Sequence, residues 1–206
     1  MHGKQPTAGI VLAAGMSLRF QSTKQIARFK GKFLLAWVLE HALSSRLDQL
    51  VLVLGHDADN ILKALKPQIS HPRLRIVVNP NFKEGLSQSL RVGLTEVATT
   101  HPAVMFLLGD QPMVGTPTLD LLLERFWQSS KDICAPIFQG RRGNPVLITN
   151  KFYAQLFALE GDIGARQLIK ANPDHLLTVK VEDPSCLIDV DTRADLKRLS
   201  LSLIHI

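Results

Sequence analysis

The chain has 206 residues, a 46% apolar share, 20% charged residues and a formal net charge of +6. That length and balance suit an ordinary globular domain with a sizeable core, and no apolar run is long enough to span a membrane. Cys134 and Cys186 stand far apart with no zinc-spaced partner, which argues against a disulfide framework and for two reduced core thiols in a cytoplasmic protein.

No secretory leader is legible: residues 1–7 are polar, and no long apolar segment with a small-residue cleavage site follows. A basic, acid-free N-terminus also suits an organelle transit peptide. The apolar block behind it, however, reads as a strand and not as an amphipathic helix.

That block, residues 8–14, is the first expected strand, and it stops at Gly15. Helical patterns follow at 33–45, 58–65 and 87–98, alternating with strands at 49–55, 74–79 and 103–108. Runs such as "QLVLVLG" and "AVMFLLGD" are almost continuously apolar, as parallel strands buried on both faces are. The alternation predicts an α/β fold, a three-layer α/β/α sandwich around a Rossmann-like, mostly parallel sheet. Right-handed crossovers then bring the strand C-termini to one edge, where ligands of such sheets bind.

The second half is less regular. A helix is expected over 116–127, with Thr116 as N-cap and Pro117 in the first helical position. Strands at 132–137 and 144–148 are joined through "FQGRRGN". Helices at 152–159 and 163–171 and a strand at 177–181 follow. The last helix, 192–199, has Thr192 as N-cap and Asp195 in the capping-box position. No repeat, low-complexity segment or linker interrupts the chain, so residues 1–206 read as one domain.

The positive charge is local. Before Glu40 there is no acid, but there are six cations, Lys4, Arg19, Lys24, Arg28, Lys30 and Lys32; the remainder balances at 18 basic against 18 acidic residues. Such a field attracts a phosphate, a nucleotide or nucleic acid, or is simply a solvated surface. The loop after the first strand has neither a P-loop nor a dinucleotide fingerprint. It does have Ala13-Ala14-Gly15, small residues that admit close backbone approach and an N–H nest for an anion. Arg19 adds a planar fork and Lys24 a point charge. Nucleic acid would need stacking platforms, and only Phe20, Phe29 and Phe33 are near, so no nucleic-acid partner is expected.

The stretch "LAAGMSLRFQSTKQ" resembles the signature L-[AG]-[AG]-G-x-[SG]-x-R-M-G-x-x-K of the MobA-like nucleotidyltransferases. Four further stretches resemble their molybdenum cofactor cytidylyltransferase branch: "VNPNFKEGLSQSLRVGL", "LLGDQPMV", "GRRGNPVLI" and "GDIGARQLI". The closing "DVDTRADL" is similar to the family's D-[IV]-D-T-x-x-D-L, so six motifs fall in order along nearly the whole chain.

The resemblance implies a nucleotide-diphospho-sugar transferase type of fold and a reaction. CMP passes from CTP to molybdopterin, the molybdenum cofactor precursor, with release of pyrophosphate. Arg19, Lys24 and Asp110 would be catalytic. Asp110 and Asp191 would hold Mg²⁺, or Mn²⁺ in its place, with Asp189 a neighbouring candidate. Asp191 reads equally as a helix-entry residue before Thr192.

By the same resemblance Leu12, Ala13, Ala14, Gly15, Asn79, Gly85 and Ser89 would bind the nucleotide. Relatives that use GTP carry glycine where this chain has Ala14, whose methyl narrows the pocket against a purine. Gln111, Pro112, Arg142, Gly143 and Asn144 would receive the acceptor. Asp162 and Arg166 either order that side of the cleft or form an ordinary i,i+4 helix pair. A molybdoenzyme or its maturation factor is the further partner, and no membrane partner is expected.

Three positions depart from the family pattern. Gln21 stands where glycine is usual, Phe33 where proline is usual, and Asn144 where close relatives often have histidine. Alternatives left open are a GTP-using enzyme, one acting on a sugar or alcohol phosphate, and a nonenzymatic cofactor-delivery chaperone.

Overall fold

The computed structural model describes residues 5–66 and 69–202. Lys4, one of the six N-terminal cations, lies outside the described residues. In chain order the elements are β1 (Thr7–Ala13), the short hairpin β2 (Arg28–Phe29) and β3 (Lys32–Phe33), α1 (Leu34–Ser44), β4 (Gln49–Leu54) and α2 (Ala58–Leu65). Then come β5 (Leu74–Val78), α3 (Leu86–Thr95), β6 (Ala103–Leu108), α4 (Thr116–Gln128), β7 (Ile133–Phe138), β8 (Arg141–Arg142) and β9 (Val146–Thr149). α5 (Tyr153–Phe157), α6 (Arg166–Ala171), β10 (Leu176–Lys180) and α7 (Arg193–Ser202) complete it.

Seven strands lie in the order β5-β4-β1-β6-β9-β7-β10, with β8 folded back on β7. β1, β4, β5 and β6 run parallel, as do β7 and β10. β9 alone among the path strands runs antiparallel to both its neighbours, β6 and β7. The expected three-layer, mostly parallel sandwich is therefore what the chain adopts.

Alternate side chains of each strand feed opposite layers. Val11, Ala13, Leu52 and Leu54 pack on one face with α1, α2 and α4, through Leu35, Leu39, Ile61, Leu122 and Phe126. Ile10, Leu12, Val51 and Val53 pack on the other with α3, α5 and α6, through Leu90, Leu94, Leu156, Leu168 and Ile169. Each such large side chain removed from water is worth about 1.5–3 kcal/mol, which locks the register and so the position of the strand ends.

Several boundaries differ from the sequence reading. Thr116 is not the N-cap of α4: Gly115 holds that position with extended backbone, and the Thr116 hydroxyl donates instead to the His41 carbonyl at 2.9 Å. The strand expected from residue 144 begins at Val146, because the Asn144 N–H is spent on the Cys186 carbonyl at 3.0 Å. The helix expected from 163 begins at Arg166, and 163–165 form cavity wall instead. Phe33 ends a hairpin strand and only flanks α1. The closing capping box does form: the Asp195 N–H donates to the Thr192 hydroxyl at 3.1 Å, and the Thr192 N–H to the Asp195 carboxylate at 2.7 Å.

Candidate active site

β1 ends against its neighbours, and the chain leaves the sheet as a loop over residues 14–23. The loop is shaped by Gln25, which is 3% exposed. Its side-chain amide donates to the Ala13 carbonyl at 3.0 Å and the Gly15 carbonyl at 3.3 Å, and its Oε1 accepts from the Ser17 hydroxyl at 3.2 Å. The Ala14 carbonyl accepts from the His56 N–H at 3.2 Å. With these carbonyls turned into protein, the N–H groups of Gly15, Met16 and Ser17 have no partner among the described residues. A Cβ on Gly15 would meet nothing within 4 Å. That is the geometry of an open anion nest.

The far end of the loop is tied down by Thr23, whose hydroxyl donates to the Asp57 carboxylate. Gln21 takes a left-handed backbone, φ 60°, at the close of a short 3₁₀ turn. This is the conformation that glycine adopts without cost and glutamine does not.

Lys24 reaches from the loop across the sheet edge. Its ammonium lies 2.7 Å from Asp110 Oδ2 and 3.0 Å from Asp191 Oδ1, and Arg19 pairs with Asp191 Oδ2 at 2.9 Å. Burial by itself lowers the Lys24 pKa, but the two carboxylates outweigh it and hold the ammonium above the ordinary lysine value. Residues 86 and 167 positions apart are thus gathered on one side chain.

Asp110 gets there because Gly109 lies against the end of β1, its N–H on the Leu12 carbonyl at 3.0 Å, where a Cβ would crowd Ala13. Asp191 is brought by the Val190 N–H on the Asp110 carbonyl at 2.9 Å and by Asp195, which accepts from the Asp191 N–H at 3.3 Å. Asp189 accepts from the Gln111 amide at 2.7 Å. Its carboxyl is raised above the usual value, first by burial and then by the charge of Asp110.

No three His, Cys, Asp or Glu side chains converge as a ready-made metal cage among the described residues. Magnesium asks for less: one or two carboxylates, with phosphate oxygens and water completing the shell. The residues fit that arrangement. Asp110 Oδ1 is buried without a hydrogen-bond partner, and an ammonium already sits between Asp110 and Asp191.

The other expected residues divide into wall and lining. Asn79 and Ser89 are buried, and the Asn79 amide donates to the Ser89 hydroxyl at 3.0 Å while its Oδ1 accepts from the Asn81 N–H at 2.9 Å. Ala14 is buried in a corner with Gly55 and Phe82, where a Cβ on Gly55 would clash with both. Gly85, at φ 106°, admits the backbone of Gly161 and Asp162 where a side chain would collide. Leu12 and Ala13 are buried at the end of β1.

Of the residues expected to receive the acceptor, Gln111 and Pro112 are buried and do not line the cavity formed by the others. Arg142, Gly143 and Asn144 line a cavity of about 660 Å³ whose floor is Leu12, Phe106, Leu108 and neighbours. Asp162 and Arg166 do not form a helix pair: the Asp162 carboxylate accepts from the Leu86 N–H at 3.3 Å, at the start of α3.

Gln25 and the Thr23–Asp57 tie escaped the sequence reading. Gln25 directly follows Lys24, and a polar residue so near the loop is the one signal that could have marked it; its burial is a tertiary fact.

An anion nest at the end of a central parallel strand, backed by a lysine between two carboxylates, makes this an α/β protein whose sheet edge suits a phosphate-bearing ligand. A family profile described as the MobA-like NTP transferase domain matches residues 9–176. The chain belongs to that family of nucleotidyltransferases. It is 26% identical to the molybdenum cofactor cytidylyltransferase of Escherichia coli, over 90% of this chain and 91% of that protein. It is 28% identical to the nicotine blue oxidoreductase of Paenarthrobacter nicotinovorans, over 93% and 95%. Among solved structures, the Rv0371c protein of Mycobacterium tuberculosis in complex with manganese superposes with a TM-score of 0.74 at 26% identity, over 97% of this chain and 100% of that one.

Proposed function

We propose that the protein transfers CMP from CTP to the phosphate of molybdopterin and releases pyrophosphate. The observation that carries this reading is Lys24 held between Asp110 and Asp191 beside the unpartnered N–H groups of the Gly15 turn.

An acceptor phosphate oxygen attacks the α-phosphorus, the bond to the bridging β-oxygen breaks, and its electron pair leaves with pyrophosphate. Two anions must meet, so the site works by positioning and charge neutralisation. Lys24 and Arg19 exchange their carboxylate partners for triphosphate oxygens and stabilise the charge that grows on the leaving group. The Gly15, Met16 and Ser17 N–H groups cradle the phosphates. Asp110 and Asp191 would hold Mg²⁺ or Mn²⁺, which neutralises phosphate charge when bound. Leu12 and Ala13 back the nucleotide, and Asn79, Gly85 and Ser89 shape the loop that faces the base. Gln111 and Pro112 support the acceptor floor, and Arg142, Gly143 and Asn144 contact the acceptor.

Ala14 supports the choice of CTP: its methyl fills the corner against Gly55 and Phe82 that a glycine would open toward a purine. Because one relative carries an oxidoreductase name, overall likeness does not choose the reaction, and our reading rests on the site residues. A purely delivering chaperone would have no use for an ammonium held between two carboxylates. The setting we infer is the cytoplasm, with a molybdoenzyme or its maturation factor taking the product. Both cysteines are free and buried, which accords with a reducing compartment, and no helix among the described residues is long and apolar enough to cross a membrane.

The test is pyrophosphate release with purified molybdopterin, Mg²⁺ and CTP, GTP or ATP in parallel. Release with CTP well above the others is expected. Release with GTP alone removes the cytidylyl assignment, and no release with any nucleotide removes the enzymatic one.

A further inference from the structure

The cations of this molecule are in two different states. Arg19 and Lys24 each have a carboxylate partner within 3.0 Å. The guanidinium groups of Arg142 and Arg166, residues that line the 660 Å³ cavity, have no ion-pair or hydrogen-bond partner among the described residues. The acid in that lining, Asp162, is committed to the Leu86 N–H. Two unpaired guanidinium groups therefore face one space whose floor is Leu12, Leu90, Phe106 and Leu108. Their proximity has a cost: Arg142 is lowered from its usual value by burial and then by the charge of Arg166. Like charges beside an apolar floor, with one oxygen of the nearby carboxylate engaged by a backbone N–H, are relieved by a ligand that brings negative charge.

We infer that Arg166, together with Arg142, receives the phosphate of the acceptor, and that the acceptor is a phosphomonoester whose ring-sized body lies over the cavity floor. This rests on the nucleotidyl-transfer reading above. Arg166 is a binding residue of the acceptor half. By neutralising the incoming dianion, the pair lets it approach the triphosphate held by Lys24. The clasp of residues 161–164 on the start of α3 holds the backbone just before Arg166: the Ser87 N–H and hydroxyl both donate to the Gly161 carbonyl, at 3.2 and 2.8 Å. A volume of 660 Å³ falls in the range of small-molecule pockets.

The experiment is calorimetric titration of the full chain with phenyl phosphate, inorganic phosphate and benzyl alcohol, alongside CTP with Mg²⁺. Phenyl phosphate should bind more tightly than either half of itself. Arg166→Ala and Arg142→Ala should each weaken it about tenfold, as expected for a lost charge-assisted hydrogen bond, with partial recovery in Arg166→Lys. CTP affinity should stay within about twofold in Arg166→Ala, which also reports an intact fold. Failure of the wild-type protein to bind phenyl phosphate overturns the inference. So does an Arg166→Ala affinity within about twofold of wild type, or an equal loss for CTP and phenyl phosphate. If no nucleotide yields pyrophosphate but phenyl phosphate binding still requires Arg166, the catalytic reading falls and the anion site stands.

Discussion

The two walls of the cleft carry the same sign of charge in opposite conditions. On the β1 side Lys24 and Arg19 are neutralised by Asp110 and Asp191, and their loop is braced by Gln25 and Thr23. On the β7–β9 side Arg142 and Arg166 face a cavity with no carboxylate on them. The difference teaches that a basic site can store its cations or expose them. The stored ones are held in place by their own carboxylates. The exposed ones gain from the first anion that fits.

The largest effect should come from removing the stored charge. Lys24→Ala should lower nucleotidyl transfer about a thousandfold or more, as loss of a preorganised charge-stabilising group does elsewhere. The same change leaves Asp110 and Asp191 facing each other without their ammonium. Binding of Mn²⁺ to the nucleotide-free protein, followed by electron paramagnetic resonance, should then tighten about tenfold. Unchanged metal affinity would mean that the lysine and the metal do not compete for one position.

Gly85→Ala attacks the contact that joins the two walls. The added methyl meets the Gly161 backbone at a φ of 106° that side chains rarely adopt. A loss of about 1–3 kcal/mol in denaturant unfolding is expected, together with weaker CTP binding. An unaffected CTP affinity would show that the walls are independent.

Asp195→Asn acts one step behind Asp191. Its carboxyl is lowered to about 2 by the Thr192 hydroxyl hydrogen bond first, opposed by partial burial and helped by Arg198. A folded value below the ordinary 3.8 means that its contribution is complete above about pH 4 and is lost as pH falls toward 2. The variant should lose about 1 kcal/mol near neutrality, the worth of a helix cap, and show a flatter stability profile across that acid window. Chemical denaturation at a series of pH values measures both.

The smallest effect belongs to Gln21→Gly, in the braced wall. Relief of the left-handed backbone, offset by the freedom glycine has when unfolded, should leave a gain of under about 1 kcal/mol in thermal unfolding. A destabilised variant would indicate that the Gln21 side chain holds the loop.

The sheet was legible because its central strands are apolar on both faces, and burial on both faces writes an unbroken hydrophobic run. β6 and α2 fall where the sequence reading puts them. The β2–β3 hairpin was not legible, since its strands are two residues each and its turn depends on positive φ at Lys30 and Gly31. Lys24 and Asp110 stood out in the sequence through the motifs that resemble the family's, and the fold brings their side chains within 2.7 Å of each other. Gln25 could not, because its role depends on a partner 12 positions away, and for Asp162 the sequence leaves cleft ordering and a helix pair side by side because its partner lies 76 positions away. The distinction between a paired and an unpaired arginine is likewise a property of assembled space.

One reversed strand carries a consequence for how this architecture diversifies. β9 enters the sheet at the edge where β6 and β7 end, so residues 139–145 begin and finish on the ligand side without a crossover helix. The segment turns at Gln139 and Gly140, both at positive φ, and presents Arg142 and Asn144 to the cavity. Its ends are pinned by neighbouring strands, and its interior spans few residues. It is thus a cassette: insertions or exchanges there would reshape the cavity wall while β1 and the loop braced by Gln25 keep their own geometry.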